Sequence, residues 1–435
     1  MTEKKKEWNM ERFIGIFGII LILGIAFAFS NNKKAISLKT VLPGLILQVL
    51  LAVFILKVPI GKQIFHAIGM FIQKILDFSN MGGDFVFGVL TNSPMKMEEL
   101  FGAGAGFIFA LKLIPTIIFI LILVNILYYY GIMQRVVAFF AKIMYRIMNV
   151  SGAESLSNIA SAFVGQVEAQ IMIKPYLSGM TMSELLASMT GSMACIAGGV
   201  MAMYIGMGIP AEYLLAASIM AAPGALVISK IVYPETEESQ TKNEVKVEIK
   251  KSHVNLIDAI AHGASDGMKV SINVIAMLIA LIALISMIDW ILGGVGQFLA
   301  QKFHLSLAFI NIDLNHLSLK EILGAIFSLF SIPMGVPLKD AGAVGALMGT
   351  KLVFNEFIAY LDLTSMKAVL DPKSVVIASF ALCGFANLGS IAIQIGGIGE
   401  LAPNRRKDLA KLGVKALFCG TLASYLSACI AGILL

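Results

Sequence analysis

A polytopic α-helical membrane fold is what this sequence predicts, and three observations predict it. The chain has 435 residues, of which 58% are hydrophobic and only 14% charged. Its mean hydropathy is +0.86. Apolar runs near the roughly 20 residues needed to cross a bilayer recur from end to end. A soluble domain is about a quarter charged, so this chain lacks the polar surface of a cytosolic enzyme, a disordered scaffold or a secreted disulfide protein.

The first element follows Lys4-Lys5-Lys6 and is apolar from Phe13 to Phe29. A basic start before an apolar run imitates a signal peptide. The run is long for one, and a second span follows, so it reads as an uncleaved first transmembrane helix. Further spans are expected at 41–57, 107–129, 184–209, 211–232, 270–293, 374–398 and 412–434, about eight in all. Residues 62–78 interleave Lys62, Gln63, Gln73 and Lys74 with Ile64, Phe65, Ile68, Phe71, Ile72 and Ile75. That pattern fits an amphipathic helix lying in the interface. Segment 130–149 is apolar but carries Arg135, Lys142 and Arg146, so it spans at an angle or forms a surface helix.

Residues 234–253 form the one clearly polar stretch, which reads as a solvated loop between two halves. Two apolar regions, 151–180 and 318–341, are interrupted by Gly, Pro and charge. Each precedes a helix expected to be long, 184–209 and 341–361, and Thr181 with Glu184 forms a capping box for the first. Broken segments at matching places in two halves are the layout of a secondary transporter, with the site at half-helix ends near the midplane. The expected division is 1–150 as scaffold and interfacial helix, 151–233 as a first repeat, 234–253 as the loop, and 254–435 as the second half.

The net charge of +6 fits basic loops and headgroup contacts. With no basic stripe interleaved with aromatics, nucleic acid is not an expected partner. Cys195, Cys383, Cys419 and Cys429 all sit in apolar runs without a CxxC pair, as buried small hydrophobes do. His66, His253, His262, His304 and His316 lack metal-ligand spacing, and no phosphate-cradling loop is present, so no metal and no cofactor are expected.

A charge inside a span costs roughly 2.5–3.5 kcal/mol and needs a reason. Three constellations qualify. In Gly165-Gln166-Val167-Glu168 an amide and a carboxylate sit at a Gly-opened break and could read the edge of a heterocycle. The alternative is a structural Glu168 paired with Lys174. In Asn355-Glu356-Phe357 the carboxylate has apolar sequence on both sides. Lys351 is five residues earlier, about 140° round a helix, so Glu356 needs a ligand or another helix as partner. The third is Cys383-Gly384-Phe385-Ala386-Asn387-Leu388-Gly389-Ser390, where a spacing of three places Asn387 and Ser390 on one helical face. Such residues can also simply hold helices together.

The segment Gly349 to Tyr360, GTKLVFNEFIAY, resembles the signature of the concentrative nucleoside transporters, Gly/Ala-x-Lys-x-x-x-Asn-Glu-Phe-Val-Ala-Tyr/Met/Phe. Ile358 replaces the usual Val. GQVEA and CGFANLGSIAI resemble two further family segments in the right order, and MGVPLKDA precedes the signature. The resemblance covers residue 12 to the end. It implies a cation–nucleoside symporter of the bacterial plasma membrane with eight spans, two re-entrant hairpins and an interfacial helix, assembled as a homotrimer among membrane lipid. By motif position, Gln166 and Glu168 would meet the base, with Gly165, Val167 and Val200 lining the pocket. Glu356, Asn387 and Ser390 would meet the ribose, with Phe385 beside it; Lys351, Asn355 and Phe357 complete the signature.

The sequence departs from sodium-coupled relatives at a candidate cation site. Ser161 stands where they carry Asn, and Cys195 where they carry Ser. The carbonyls of Val164 and Ile196 would complete that site. Sodium is hard and prefers oxygen, so the expected coupling ion is the proton, with sodium the alternative. The titrating group would be Glu356 or Glu168, since burial disfavours a charged carboxylate. Thr is common in relatives where Val167 stands, so base preference stays open. Two further readings use the same acids: an intramembrane enzyme with Glu168 and Glu356 as an acid–base pair, and a ligand sensor. No nucleophile–base constellation accompanies the acids, so no catalytic residue is expected.

Overall fold

The computed structural model describes residues 2–102, 108–242, 254–303 and 314–435. His253, His304, residue 107 of one expected span and residues 243–253 of the expected loop lie outside them. Every element among the described residues is a helix. Among the described residues six helices are long and apolar enough to cross a membrane, and Ile14–Ala28, Pro372–Leu382 and Leu388–Leu401 are shorter apolar helices. The chain is thus a multi-pass membrane protein, as its composition requires.

Burial sorts these helices into layers. Ala211–Val232 is 89% buried in its apolar window, while Leu256–Lys302 is only 11% buried. The inner helices carry the small and hydroxylated residues that let helices approach closely. The outer ones present Ile, Leu, Met and Phe outward, as lipid-facing or subunit-facing helices do. Leu256–Phe303 crosses Phe109–Tyr129 closely through Gly263 and Gly267. A Cβ on either would lie 2.5–2.6 Å from the Cα of Ile118 or Ile122, so this small-xxx-small step is required by the crossing. The amphipathic segment forms one helix, Pro59–Phe87, with Phe65, Gly69, Leu76 and Gly83 on its buried face.

The order of elements occurs twice. Ile132–Met148, Gly152–Ser161 and the short helices Glu168–Ile171 and Lys174–Leu177 are followed by Met182–Ala194, Gly198–Gly206 and the long Ala211–Val232. Leu319–Ser331, Leu338–Val353 and Glu356–Met366 are followed by Pro372–Leu382, Leu388–Leu401 and the long Arg406–Leu434. The helices Leu319–Ser331 and Leu338–Val353 run antiparallel, with Ser331 Oγ donating to Ala341 O at 2.8 Å. The capping box of Thr181 and Glu184 is formed, and two others, Ser151 with Glu154 and Ser318 with Glu321, open further helices.

Three expected continuous helices are broken. The expected 184–209 is interrupted at Cys195–Ala197, 341–361 at Phe354–Asn355, and 374–398 between Leu382 and Leu388. Periodicity could not show this, because apolar residues flank each break on both sides. Two of the freed backbone groups find partners in other breaks, Gly198 N at Phe163 O and Phe385 N at Cys195 O.

Candidate functional site

Four interruptions meet in the interior: the turn 162–167, the break 195–197, the break 354–355 and the break 383–387. Gly198 N donates to Phe163 O at 3.1 Å, and Phe385 N donates to Cys195 O at 3.3 Å. The second crossing needs Gly384. Its φ is +119°, and a Cβ there would lie 2.5 Å from Ala194 O. The positive ends of half-helices Gly198–Gly206, Glu356–Met366 and Leu388–Leu401 therefore open toward a common region.

Glu356 is the first residue of its half-helix and is 5% exposed. Its Oε1 accepts from the Tyr204 hydroxyl and its Oε2 from Asn387 Nδ2, both at 3.1 Å. A carboxylate in the apolar interior is tolerable only with such donors, and the N-terminal end of a helix adds favourable potential. About four lone-pair sites are available on a carboxylate, so two remain for a ligand.

Asn387 is the N-cap of Leu388–Leu401, and its Oδ1 accepts from Ser390 N at 2.9 Å. The spacing of three is therefore that of an N-cap to the third helical residue, not two side chains on one helical face. This corrects the sequence expectation. With Oδ1 committed to the cap, Asn387 has only its amide N–H groups left, which is why it serves the carboxylate. Asn355 caps Glu356–Met366 in the same way, through Ile358 N at 3.0 Å.

Gln166 is half-buried in the turn 162–167, and its Nε2 lies 3.5 Å from Ser390 Oγ. Through Ser390 and Asn387 it joins the group around Glu356. Val167 packs against Gly397. Glu168 is exposed, and no ion pair joins it to Lys174. Its carboxylate folds over Gly165, where any Cβ would collide with it. Val200 and Phe385 are half-buried, and Val200 lies one turn before Tyr204 on the same face.

Lys351 and Phe357 do different work. Phe357 is buried, with its ring centroid 5.9 Å from that of Tyr204. Lys351 is 1% exposed and donates to Ala381 O at 3.0 Å, Cys383 O at 3.4 Å and Ser424 Oγ at 3.4 Å. It braces the broken helix at its carbonyl end, Ala381 and Cys383.

The four candidate cation residues lie together at the first two interruptions. Ser161 Oγ donates to Ser157 O at 2.8 Å and lies 3.0 Å from Ser192 Oγ. Cys195 Sγ faces Ser218 O at 3.7 Å, and Ser218 Oγ points at Ala162 O and Ile196 O at 3.4 and 3.5 Å. Val164 is buried beside them. Among the described residues no group of three or more His, Cys, Asp or Glu could hold a metal ion.

Sequence reasoning missed Tyr204 and Gln394, since an aromatic or amide within an apolar helix reads as core or helix contact. Tyr204 is fully buried and packs on Tyr360 with centroids 4.4 Å apart. Tyr204→Phe keeps that packing and deletes one donor to a charged acceptor, worth about 1.5–3 kcal/mol. Ligand affinity at the site is expected to fall about tenfold or more, and the melting temperature in detergent is expected to fall with it, because the buried carboxylate loses one of its two side-chain donors. Titration calorimetry and thermal melting on the purified variant would check both.

Residues 213–432 match a family model described as Na+ dependent nucleoside transporter C-terminus, and 17–90 match its N-terminus. Residues 110–211 match a model named Gate, described as nucleoside recognition. The nucleoside permease NupC of Helicobacter pylori is 38% identical, with 96% of each chain covered. The putative nucleoside permease NupX of Escherichia coli is also 38% identical, over 97% of this chain and 99% of that one. Sodium/nucleoside cotransporter 2 of Rattus norvegicus is 36% identical over 98% of this chain, which spans 63% of that longer protein. Among solved structures, CNTnw in an inward-facing substrate-bound state superposes with a TM-score of 0.89 at 41% identity, with 97% of both chains covered.

Proposed function

This chain belongs to the concentrative nucleoside transporter family, and on that premise we propose that it imports nucleosides by cation symport, with the proton as coupling ion. It is a multi-pass inner-membrane transporter and not an enzyme. The observation that carries the proposal is the convergence of four helix interruptions on Glu356, Asn387, Ser390 and Gln166. A neutral, polyhydroxylated ligand carrying a heterocycle suits that set. Glu356 offers acceptors to ribose hydroxyls, Ser390 a hydroxyl, and Gln166 both a donor and an acceptor to a base edge. Glu168, exposed beside Gln166, would serve as a second base contact. Val167, Val200, Phe385 and Gly165 complete the walls.

The same proposal assigns residues 1–150 to the scaffold and interfacial helix, and 151–233 and 254–435 to the two site-bearing halves. Three copies would associate through outer apolar faces such as those of Phe109–Tyr129 and Leu256–Phe303, with lipid covering the remainder.

Proton coupling is supported by the chemistry around Ser161 and Cys195. The hydroxyl of Ser161 is occupied by Ser157 and Ser192, and Ser218 directs its proton at Ala162 O and Ile196 O. A hard cation would have to displace those hydroxyl contacts and accept a thiol neighbour. Sodium remains the second reading, favoured by the names of the matched families. One elementary charge moved through 100 mV supplies about 2.3 kcal/mol, enough for roughly 50-fold accumulation.

The test is labelled-uridine uptake into proteoliposomes. An inward proton gradient without sodium is expected to drive accumulation, and an inward sodium gradient at equal pH is not. Sodium-driven accumulation with no pH gradient would transfer the coupling to sodium. Exchange of unchanged nucleoside in counterflow separates transport from sensing.

A further inference from the structure

The side chain of Gln394 is fully buried on helix Leu388–Leu401, one turn beyond Ser390 on the same face. Its Nε2 donates to Met189 O at 3.1 Å and to Gln166 Oε1 at 3.4 Å. Both of its N–H groups are thereby used. Its Oε1 is buried without a partner.

That arrangement has only one sense. Met189 O is a backbone carbonyl and can only accept, so the amino end of Gln394 must face it. The same amino end then faces Gln166, which must answer with Oε1. The amino end of Gln166 is left to point at Ser390 Oγ. Rotating Gln394 by half a turn would set its own carbonyl oxygen against two others, Met189 O and Gln166 Oε1. We propose that Gln394 is a positioning residue that fixes the donor–acceptor sense of Gln166, and through it which exocyclic groups on a nucleobase the site prefers. This rests on the reading of the site as a nucleoside site.

Held this way, Gln166 shows a ligand one N–H and one Oε1 lone pair in a set order. Uridine and cytidine share size and ribose and differ in that order along one base edge, a carbonyl beside N–H against an amino group beside a bare nitrogen. A site whose amide cannot turn discriminates between them; one whose amide turns freely does not.

The experiment measures kcat/KM for uridine and cytidine in proteoliposomes of the full chain, with thermal melting of each protein in detergent. Wild type is compared with Gln394→Met, which removes both donors at similar length, and with Gln394→Glu, which offers Gln166 an acceptor and invites it to turn over. The wild-type ratio is expected to differ from one by about tenfold. Gln394→Met is expected to bring the ratio toward one with a melting temperature near wild type, and Gln394→Glu to move it past one in the opposite sense at a lower melting temperature, because its buried carboxylate also faces Met189 O. A wild-type ratio near one, or an unchanged ratio in a folded variant even if both rates fall, would overturn the proposal. Should one variant fail to fold, the other decides. If wild type carries no nucleoside at all, the functional reading fails instead, and that result is distinguishable from the others.

Discussion

Glu356→Gln is expected to reduce uridine uptake at least a hundredfold while leaving the fold in place. The reasoning starts from the two donors that hold the carboxylate. Asn387 must present its amide N–H, because its Oδ1 caps Ser390 N. The tyrosine hydroxyl can either donate or accept. A glutamine therefore fits with its oxygen toward Asn387 and its amino group toward a Tyr204 hydroxyl that has turned to accept. The protein keeps its hydrogen bonds and loses a charge and half of its free acceptors. If two ribose hydroxyls donate to Glu356, each charge-assisted bond contributes about 1.5–3 kcal/mol; losing one outright and the charge assistance of the other is worth about two to three decades in affinity. Substrate analogues make the assignment specific. Wild type should discriminate strongly between uridine and its 2′,3′-dideoxy analogue, and Glu356→Gln should treat the two almost alike. If the variant still discriminates at the wild-type level, the ribose lies elsewhere. Uptake and competition assays on both proteins decide it.

The parts of this site that were readable in the sequence share one property: they are expensive where they stand. Glu356 in apolar sequence needs a partner, and the Gly-opened GQVE segment and the CGFAN segment break the hydrophobic pattern. All of these lie at interruptions of the structure. The missing parts share the opposite property. Tyr204 and Gln394 cost nothing by local reasoning, since helices in membrane interiors commonly hold such residues for packing. Only the neighbouring breaks show that Tyr204 reaches a carboxylate and that Gln394 reaches Gln166. The breaks themselves were partly legible. Gly198-Gly199 directly follows Cys195–Ala197, and Asn355 and Asn387 are good N-caps. Each signal was outweighed by the apolar run around it. The deciding interactions, Cys195 O with Phe385 N and Phe163 O with Gly198 N, join residues far apart in the chain and leave no periodic trace.

The signature lysine is where sequence position and physical role separate most, and Lys351→Met should show it. The half-helix Pro372–Leu382 ends at Cys383. In an unbroken helix the Phe385 amide would satisfy Ala381 O, but here that amide turns away to Cys195 O. Ala381 O is left without its helical donor, and Lys351 supplies one at 3.0 Å. The ammonium has three N–H groups and three acceptors, Ala381 O, Cys383 O and Ser424 Oγ, with its charge set favourably at a helix C-terminus. Methionine matches the length and takes the charge away. Cys383 O keeps the Ser424 hydroxyl at 2.7 Å, so the group left unpaired in the interior is Ala381 O. An orphaned buried carbonyl costs about 1–3 kcal/mol, and the lost charge-assisted bonds add a similar amount. Pro372–Leu382 can recover by closing its helix across 383–387, which withdraws Phe385 N from Cys195 O and displaces Asn387 from Glu356. Lys351→Met is therefore expected to lower the melting temperature in detergent and to abolish uptake, for uridine and for its dideoxy analogue alike. That pattern differs from Glu356→Gln, where stability is kept and the loss falls on the substrate bearing hydroxyls. A Lys351→Met protein with wild-type melting and a loss confined to the hydroxylated substrate would place the lysine on the ligand instead of on the helix break.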